Sequence, residues 1–135
     1  MTYTRAIRVE FNHCDPAGIV FYPRYYEMTN SVIENFFREQ VGWPFEQMMA
    51  DGIGVPTVRI ETDFRAASRL GDLLDWSLVV TTLGRASATF RLRATCGDEE
   101  RLVVVLTLVW LAANHRPAPW PDSVRPRLAA HQEAP

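Results

Sequence analysis

FNHCDPAGIVFYPRYYEMTNSVIENFF, residues 11–37, is the stretch that decides the fold of this chain. Tyr22-Pro23 marks the start of a helix, because proline is favoured at the first helical positions, where its missing N–H is not needed. One face of this helix is predicted from residues that recur every three or four positions: Tyr26, Thr29, Val32, Ile33, Phe36 and Val41. Gly42 ends the helix and Trp43-Pro44 prevents it from resuming. The predicted helix has roughly 18 residues and a length of about 27 Å.

A strand and a tight turn precede this helix. Residues 3–11 alternate between apolar and charged side chains, which predicts a first strand. One face of that strand carries Ile7, Val9 and Phe11. In the turn Asn12–Gly18, Asp15 precedes a proline and is therefore expected to be extended, while Gly18 permits a positive φ. The turn thus holds one carboxylate close to the start of the helix.

Four further strands are predicted after the helix, preceded by one or two helical turns over 44–52. Period-two alternation from Val55 onwards predicts a half-buried strand. Its covered face carries Val58, Ile60, Thr62 and Phe64. The next strands are expected over 73–83, 87–96 and 101–111, the last of them covered on both faces. Short turns between strands indicate antiparallel pairing, and one helix over one face of a curled antiparallel sheet gives an α+β fold.

Composition limits the classes of function. The chain has 135 residues, 47% hydrophobic and 22% charged, which is typical of one globular domain over 1–135 with a sizeable core. A proline-rich C-terminal arm begins at about residue 114 and is expected to lie over the surface, with a short helix near 122–129. A formal net charge of -2 argues against nucleic acid as a partner.

All 14 basic residues are arginine, so mechanisms that need a lysine are excluded. Cys14 and Cys96 show neither CxxC nor Cys/His spacing, and no metal site is predicted. There is no 18-residue apolar run, so no membrane partner is expected. We therefore expect a cytoplasmic protein with reduced thiols.

Asp15 and the start of the helix form the candidate chemical site. The first turn of a helix has unpaired N–H groups and about half a positive charge, so a carbonyl placed there would be polarised. A carboxylate beside it could attack that carbonyl or activate water. Thioester hydrolysis suits these parts, because a thiolate is a good leaving group. An Asp-Pro turn is also a common structural element, and that alternative stays open for Asp15.

Other residues near this site have structural interpretations. His13 and Cys14 flank the carboxylate, but neighbours in an extended segment point to opposite sides and are not expected to form a Cys–His pair. Glu27 and Glu34 lie off the apolar face of the helix and are expected to face solvent or another subunit. Tyr25 is equally compatible with an acyl pocket and with core packing.

The segment DPAGIVFYPRY, residues 15–25, followed by a helix that ends in aromatic residues, resembles the hotdog-fold thioesterases, specifically the 4-hydroxybenzoyl-CoA thioesterase group. GVPT at 54–57 and the Gly71-Asp72 turn fall in the order of that family. The resemblance implies an acyl-CoA thioesterase in which Asp15 is the catalytic nucleophile or base and the backbone N–H of Tyr22 points at the thioester carbonyl. It favours an aromatic acyl group and requires no cofactor, since coenzyme A is part of the substrate.

The resemblance also suggests substrate contacts. A helix aspartate that contacts the ring hydroxyl in the 4-hydroxybenzoyl enzyme is matched here by Asn30, whose amide can still hydrogen-bond a phenol or an amine. Arg85, Ser87 and Arg116 are candidates for binding the coenzyme A phosphates, because turns at a sheet end can reach a long nucleotide. A solvated surface position is the alternative for each of the three.

Family members of this kind pair two sheets edge to edge, so the resemblance implies a homodimer or a dimer-of-dimers tetramer. The active site would lie at the dimer interface, with the strand after Val55 of the partner facing Asp15. Two alternatives stay open for the activity. One is a thioesterase acting on acyl-carrier-protein or medium-chain acyl-CoA, and the other is a non-catalytic module that binds acyl-CoA.

Overall fold

A five-stranded antiparallel sheet in the order β1-β3-β4-β5-β2 organises the computed structural model, which describes residues 1–134. The strands are β1 (Tyr3–Arg8), β2 (Thr57–Phe64), β3 (Leu73–Leu83), β4 (Ser87–Cys96) and β5 (Glu99–Val109). The helices are α1 (Tyr22–Phe36), α2 (Phe45–Asp51) and α3 (Arg125–Ala129). The predicted order of one strand, one long helix and four strands is confirmed, and so is the α+β class.

Helix α1 starts at Tyr22 with proline in its first turn, as predicted. Its buried residues are Tyr25, Met28, Thr29, Val32, Ile33 and Phe36. The buried face is therefore rotated slightly from the predicted one, because Tyr25 is buried and Tyr26 is only half-buried. A π-helical turn, Phe37–Val41, extends the helix, and Gly42 ends it with φ 81°, a left-handed conformation that glycine adopts readily.

The core lies between α1 and the inner face of the sheet. β4 illustrates how the alternation is used, because every second residue points inward and is buried. These residues are Ala88, Phe90, Leu92 and Ala94. The ring of Phe36 on α1 packs edge-on against Phe90 at a centroid distance of 5.8 Å. This contact joins the end of the helix to the middle of the sheet.

Strand β2 differs from the half-buried strand that its sequence predicts. It lies at the edge of the sheet and pairs only with β5. Its apolar side chains stay exposed, with relative exposures of 60% for Val58, 40% for Ile60 and 50% for Phe64. Ile60 and Phe64 line spaces beside α1, but within residues 1–134 the strand stays largely exposed.

The other strands differ from prediction mainly at their ends. β1 stops at Arg8, and Phe11 lies in a short 3-10 helix with its side chain 83% exposed. β5 is half-buried on one face and buried on the other, so the expected cover on both faces is absent from the described chain. No helix within residues 1–134 is long and apolar enough to cross a bilayer.

The C-terminal arm packs into the molecule, whereas the sequence predicts an arm that lies over the surface. Trp120, Val124 and Leu128 are buried. β1 covers β3 only as far as Leu78. Beyond that point the arm takes its place, since the N–H of Val80 donates to the carbonyl of His131 at 2.9 Å. The predicted short helix in the arm is present as α3.

Candidate active site

The turn that carries Asp15 is closed by its own hydrogen bonds. Oδ1 of Asp15 accepts from the N–H of Ala17 at 2.9 Å, and the Asp15 carbonyl accepts from the N–H of Gly18 at 2.9 Å. Gly18 has a φ of 79°, which favours glycine. The Asp15 side chain is half-buried, and we find no donor to its Oδ2 among residues 1–134. One carboxylate oxygen is thus fixed and the other is open to a reactant.

Backbone contacts tie this turn to the start of α1. Cys14 and Val20 form an antiparallel bridge, and the N–H of Phe21 donates to the carbonyl of His13 at 2.9 Å. The carboxylate and the helix start therefore belong to one closed segment, residues 13–21, which we call the Asp15 loop. Local hydrogen bonds define its shape, so the short sequence that carries Asp15 also determines where Asp15 lies.

The N–H of Tyr22, at the start of α1, has no acceptor within residues 1–134. The N-cap residue, Phe21, makes no side-chain capping bond, and its carbonyl accepts from the N–H of Arg24 at 2.8 Å. Pro23 has no N–H, and the N–H of Tyr22 precedes the first bond within the helix. The Tyr22 N–H is therefore the donor at the positive end of the helix dipole. A donor of this kind can stabilise negative charge that develops on a carbonyl oxygen.

The segment between β2 and β3 holds the Asp15 loop from one side. The N–H of Val20 donates to the carbonyl of Ser68 at 2.9 Å. The N–H of Leu70 donates to the carbonyl of Gly18 at 3.2 Å. These two bonds attach Gly18 and Val20 of the Asp15 loop to the same segment, and they limit movement of the loop away from the sheet.

Asp72 fixes that supporting segment in turn. Its Oδ2 accepts from the N–H of Arg69 at 2.9 Å and from the guanidinium of Arg101 at 2.8 Å. The backbone bond from Arg69, followed by the Arg101 contact, holds the pKa of the Asp72 carboxyl below its usual value. The Gly71-Asp72 turn thus has a structural role, because it supports the segment that in turn holds the Asp15 loop.

An aromatic cleft opens beside the start of α1, with a volume of about 270 Å³. The ring of Phe64, from the end of β2, lies 6.4 Å from the ring of Tyr22 and 5.9 Å from that of Tyr25. Tyr22 is 59% exposed, whereas Tyr25 is buried. Tyr25 therefore belongs to the core and also lines the cleft, and its role in an acyl pocket stays a prediction.

A second space, of about 310 Å³, lies further along α1, between the helix and strands β2 and β5. Its lining is mostly apolar, with Ile33, Phe45, Val55, Ile60, Leu106 and Leu108, and its polar members are Tyr26, Thr29, Asn30 and Thr57. The hydroxyl of Thr29 already donates to the carbonyl of Tyr25 at 2.8 Å. The amide of Asn30 makes one long contact, 3.3 Å to Glu34. Asn30 and Thr57 therefore have hydrogen-bonding capacity left for a ligand.

A β-bulge brings Thr57 into this cavity. The register of β2 against β5 shifts between Thr57 and Arg59, so Thr57 pairs with the inward-facing Leu108. Simple alternation from Ile60 would have placed Val58 on the inner face instead. Alternation in the sequence therefore does not predict Thr57 as a cavity residue, because a bulge changes the direction of a side chain without altering the apolar pattern.

A hydrogen bond between α1 and β2 lies between the cleft and the cavity. The hydroxyl of Tyr26 donates to Oγ1 of Thr62 at 3.2 Å. Tyr26 is one helical turn after Tyr22 and lines the cavity. Thr62 follows Ile60 of the cavity and precedes Phe64 of the cleft on the same face of β2. Neither member of this pair was singled out as a site residue from the sequence.

The predicted phosphate-binding residues lie at the other end of the sheet. Arg85 and Ser87 flank the start of β4, and Arg116 is in the loop after β5, whereas Asp15 lies beside the end of β2. Arg85 and Arg116 are exposed, while Ser87 is half-buried. The carbonyl of Ser87 accepts from the indole of Trp120 at 2.9 Å. A single chain therefore does not bring these three residues to Asp15.

The remaining candidates take the structural roles expected of them. The ring of His13 accepts from the N–H of Glu10 at 2.8 Å, and Cys14 Sγ lies 3.6 Å from the Glu10 carbonyl. These contacts confirm that His13 and Cys14 are not paired with each other. Glu27 is exposed and pairs with Arg24 at 2.5 Å. Within residues 1–134, no group of three or more His, Cys, Asp or Glu residues is arranged to hold a metal ion.

Comparison with known proteins agrees with this architecture. The family described as the thioesterase-like superfamily matches residues 9–128. A 4-hydroxybenzoyl-CoA thioesterase from Pseudomonas sp. (strain CBS-3) is 29% identical over 102 residues, which cover 72% of each protein. The family match includes the Asp15 loop, α1 and strands β2 to β5.

Solved structures show the same fold. A gentisyl-coenzyme A thioesterase superposes with a TM-score of 0.84 at 27% identity, covering 91% of this chain and 99% of the other. A 1,4-dihydroxy-2-naphthoyl-CoA thioesterase from Synechocystis gives a TM-score of 0.87 at 19% identity and covers 96% of both chains. The predicted hotdog fold, a curled five-stranded sheet around a long helix, is confirmed.

Proposed function

The chain belongs to the thioesterase-like superfamily, and from this premise we propose that it is an enzyme that hydrolyses the thioester of an acyl-CoA to the free acid and coenzyme A. Asp15 is its catalytic nucleophile or general base, and the N–H of Tyr22 polarises the thioester carbonyl. One observation carries the proposal. The Asp15 loop joins a half-buried carboxylate to an uncapped helix start through the bond from the Phe21 N–H to the His13 carbonyl.

Two reaction routes can use Asp15 and the Tyr22 N–H, and atoms and charges balance in both. In the first, the Asp15 carboxylate attacks the thioester carbon, coenzyme A leaves as the thiolate, and water hydrolyses the resulting acyl-aspartyl anhydride. In the second, Asp15 takes a proton from water as that water attacks, and the protonated carboxyl returns the proton to the departing thiolate. In each route the Tyr22 N–H stabilises the oxyanion, an interaction worth about 2.7–4 kcal/mol in other enzymes. Neither route needs a metal or another cofactor.

An aromatic acyl group fits the proposed site. The cavity beside α1 holds about 310 Å³ and has mainly apolar walls with two available polar groups, Asn30 and Thr57. A flat ring with a hydroxyl substituent would fill the apolar part and bond the polar one. Two relatives carry names that specify acyl groups of this kind, the 4-hydroxybenzoyl-CoA thioesterase and the gentisyl-coenzyme A thioesterase. Their names support the same class of substrate here.

We propose a homodimer, with a dimer-of-dimers tetramer as the larger assembly, in which β2 pairs with its copy. β2 is an edge strand with exposed apolar residues such as Ile60 and Phe64. An exposed edge of this kind favours pairing with another strand. Antiparallel pairing about a two-fold axis would place the start of the partner's β2 beside the end of this chain's β2.

That pairing would reconcile the two ends of the sheet. In one chain Arg85, Ser87 and Arg116 lie near the start of β2, far from Asp15. Across the proposed interface, the same three residues of the second copy would lie on the Asp15 side, where they could bind coenzyme A phosphates.

Because both cysteines are unpaired, we place the enzyme in the reducing cytoplasm. The formal net charge of -2 argues against nucleic acid as a partner, and we propose no membrane partner.

A panel of acyl-CoAs monitored with a thiol-reactive dye tests the proposal. We expect turnover of aromatic acyl-CoAs, a fall in kcat of several orders of magnitude in Asp15→Asn, and no change in the matched variant Asp98→Asn, which alters an exposed turn aspartate. Binding without turnover would favour the non-catalytic module, and low rates on every CoA ester would favour an acyl-carrier-protein substrate. Transfer of labelled oxygen into Asp15 during one turnover in ¹⁸O-water would identify the anhydride route.

A further inference from the structure

Two spaces lie along α1, and a hydrogen bond between α1 and β2 lies at the helix positions between them. The cleft lies at Tyr22 and Phe64, beside the Asp15 loop, and the cavity lies at Asn30 and Ile60. Tyr22 and Asn30 are eight residues apart, or about 12 Å along a helix axis. Any acyl group whose thioester carbonyl is at the Tyr22 N–H must pass the middle of this distance to reach the cavity.

The pair at the middle is Tyr26 and Thr62. The Tyr26 hydroxyl donates to Thr62 Oγ1 at 3.2 Å and so connects the helix to the edge strand across the passage. Both residues are half-buried. A phenol ring anchored at its far end by a hydrogen bond has fewer accessible rotamers than a free one. The Tyr26 ring is therefore held in a fixed position between α1 and β2, at the edge of the cavity.

We propose that Tyr26 and Thr62 form a crossbar that determines the width of acyl group admitted from the cleft to the cavity. This inference rests on the proposed thioesterase activity and adds to it a specificity-determining pair. The crossbar passes a single flat ring and hinders a two-ring acyl group. The cavity volume of about 310 Å³ agrees, because it is near the lower limit of small-molecule sites.

A purely structural role for Tyr26 predicts something different. If its ring only packed against β2, removing it would lower the stability and the rates on all acyl-CoAs by a similar factor. A crossbar instead changes the ratio of two rates measured on the same protein. That ratio is insensitive to the fraction of folded enzyme, so it separates the two roles.

The experiment compares kcat/KM for benzoyl-CoA and 2-naphthoyl-CoA. We expect Tyr26→Ala to raise the naphthoyl-to-benzoyl ratio by about tenfold or more, and Thr62→Val, which keeps the shape but removes the acceptor, to raise it by about two- to fivefold. Tyr26→Phe should match Thr62→Val. The matched control is Thr89→Val, which removes a similar hydroxyl pair with Thr107 on the outer face of the sheet and should leave the ratio unchanged.

The possible results separate the two proposals. A wild-type protein that hydrolyses neither ester would overturn the proposed hydrolysis of aromatic acyl-CoA, and this inference with it. A wild type active on benzoyl-CoA, with the ratio in both Tyr26→Ala and Thr62→Val within twofold of the wild-type value or below it, would overturn the crossbar alone. Since Thr62→Val is nearly isosteric, the comparison stays decisive even if Tyr26→Ala fails to fold.

Discussion

The two ends of α1 are constructed in opposite ways. At the start, Phe21 and Tyr22 are 47% and 59% exposed, and no side chain caps the helix. At the far end, Phe36 and Phe37 are fully buried, and the left-handed Gly42 closes the helix. The packed end supplies stability, which allows the open end to keep an unpaired backbone donor. Most helical stability in proteins comes from tertiary packing, so one end can remain unsatisfied without loss of the helix.

The largest effect is expected at the packed end. Phe36→Ala removes a ring that touches Tyr3, Phe37, Phe90 and His131, and it should lower the free energy of unfolding by about 3–5 kcal/mol. Urea denaturation followed by circular dichroism measures this loss. The matched control is Phe11→Ala, whose ring is 83% exposed and whose removal should cost very little. Equal losses in the two variants would contradict the division of the helix into a packed and an open end.

The open end should respond in activity and not in stability. Tyr22→Pro removes the backbone N–H at a position where a helix tolerates proline, and Phe21 already has the extended conformation that precedes proline. We expect kcat to fall by about 10²–10³, the usual effect of losing one oxyanion donor. Tyr22→Ala, which keeps the N–H, is the control for loss of the ring. If both variants lose activity equally, the ring matters and the amide does not.

The middle of the helix should affect substrate choice. Asn30→Ala and Thr57→Val each remove one hydrogen-bonding group from the cavity wall, and the rate on 4-hydroxybenzoyl-CoA should fall about three- to tenfold more than the rate on benzoyl-CoA. Asn35→Ala is the control on the same helix, because its amide bonds the Ser31 carbonyl at 2.8 Å. Steady-state kinetics on the two esters measures the difference, and a parallel loss on both would remove Asn30 and Thr57 from the ring contact.

The smallest effect concerns pH at the packed end. Burial lowers the pKa of His131 below its usual 6.5, and its ring lies 5.0 Å from Phe36. The unfolded chain therefore binds a proton on this residue more readily, and the free energy of unfolding should decrease as the pH falls below 6.5 towards the folded pKa. His131→Gln should flatten this dependence, whereas His115→Gln, at an exposed position, should not. If the free energy of unfolding depends on pH in the same way in wild type and His131→Gln, His131 is not the source of this dependence.

Local sequence was sufficient where the structure depends on neighbours in the chain. Tyr22-Pro23 and Gly42 gave the limits of the helical segment, and Asp15, Pro16 and Gly18 gave the turn, because proline and glycine restrict the backbone directly. β3 and β4 were predicted with their observed bounds. The DPAG turn and the helix start are adjacent in sequence, so their approach could also be inferred.

Other features depend on residues distant in the chain and could not be predicted. The burial of Trp120 in the C-terminal arm depends on its contact with the start of β4, where its indole N–H donates to the carbonyl of Ser87. The exposed face of β2 follows from its position at the sheet edge, which alternation alone does not reveal. The bulge that turns Thr57 inward is specified by pairing with β5. Sequence therefore identified Asp15 and Tyr22 as candidates but gave an incomplete list of cavity residues.

The closed Asp15 loop has a mechanical consequence. Because its ends are joined by the bond from the Phe21 N–H to the His13 carbonyl, we expect the Asp15 carboxylate and the first turn of α1 to keep a constant relative position. The bonds to the segment between β2 and β3 add to this restraint, so the distance between the carboxylate and the amide should vary little. Thermal motion of the sheet and helix would then change how a ligand enters the cleft, while the distance between the Asp15 carboxylate and the Tyr22 N–H stays nearly constant.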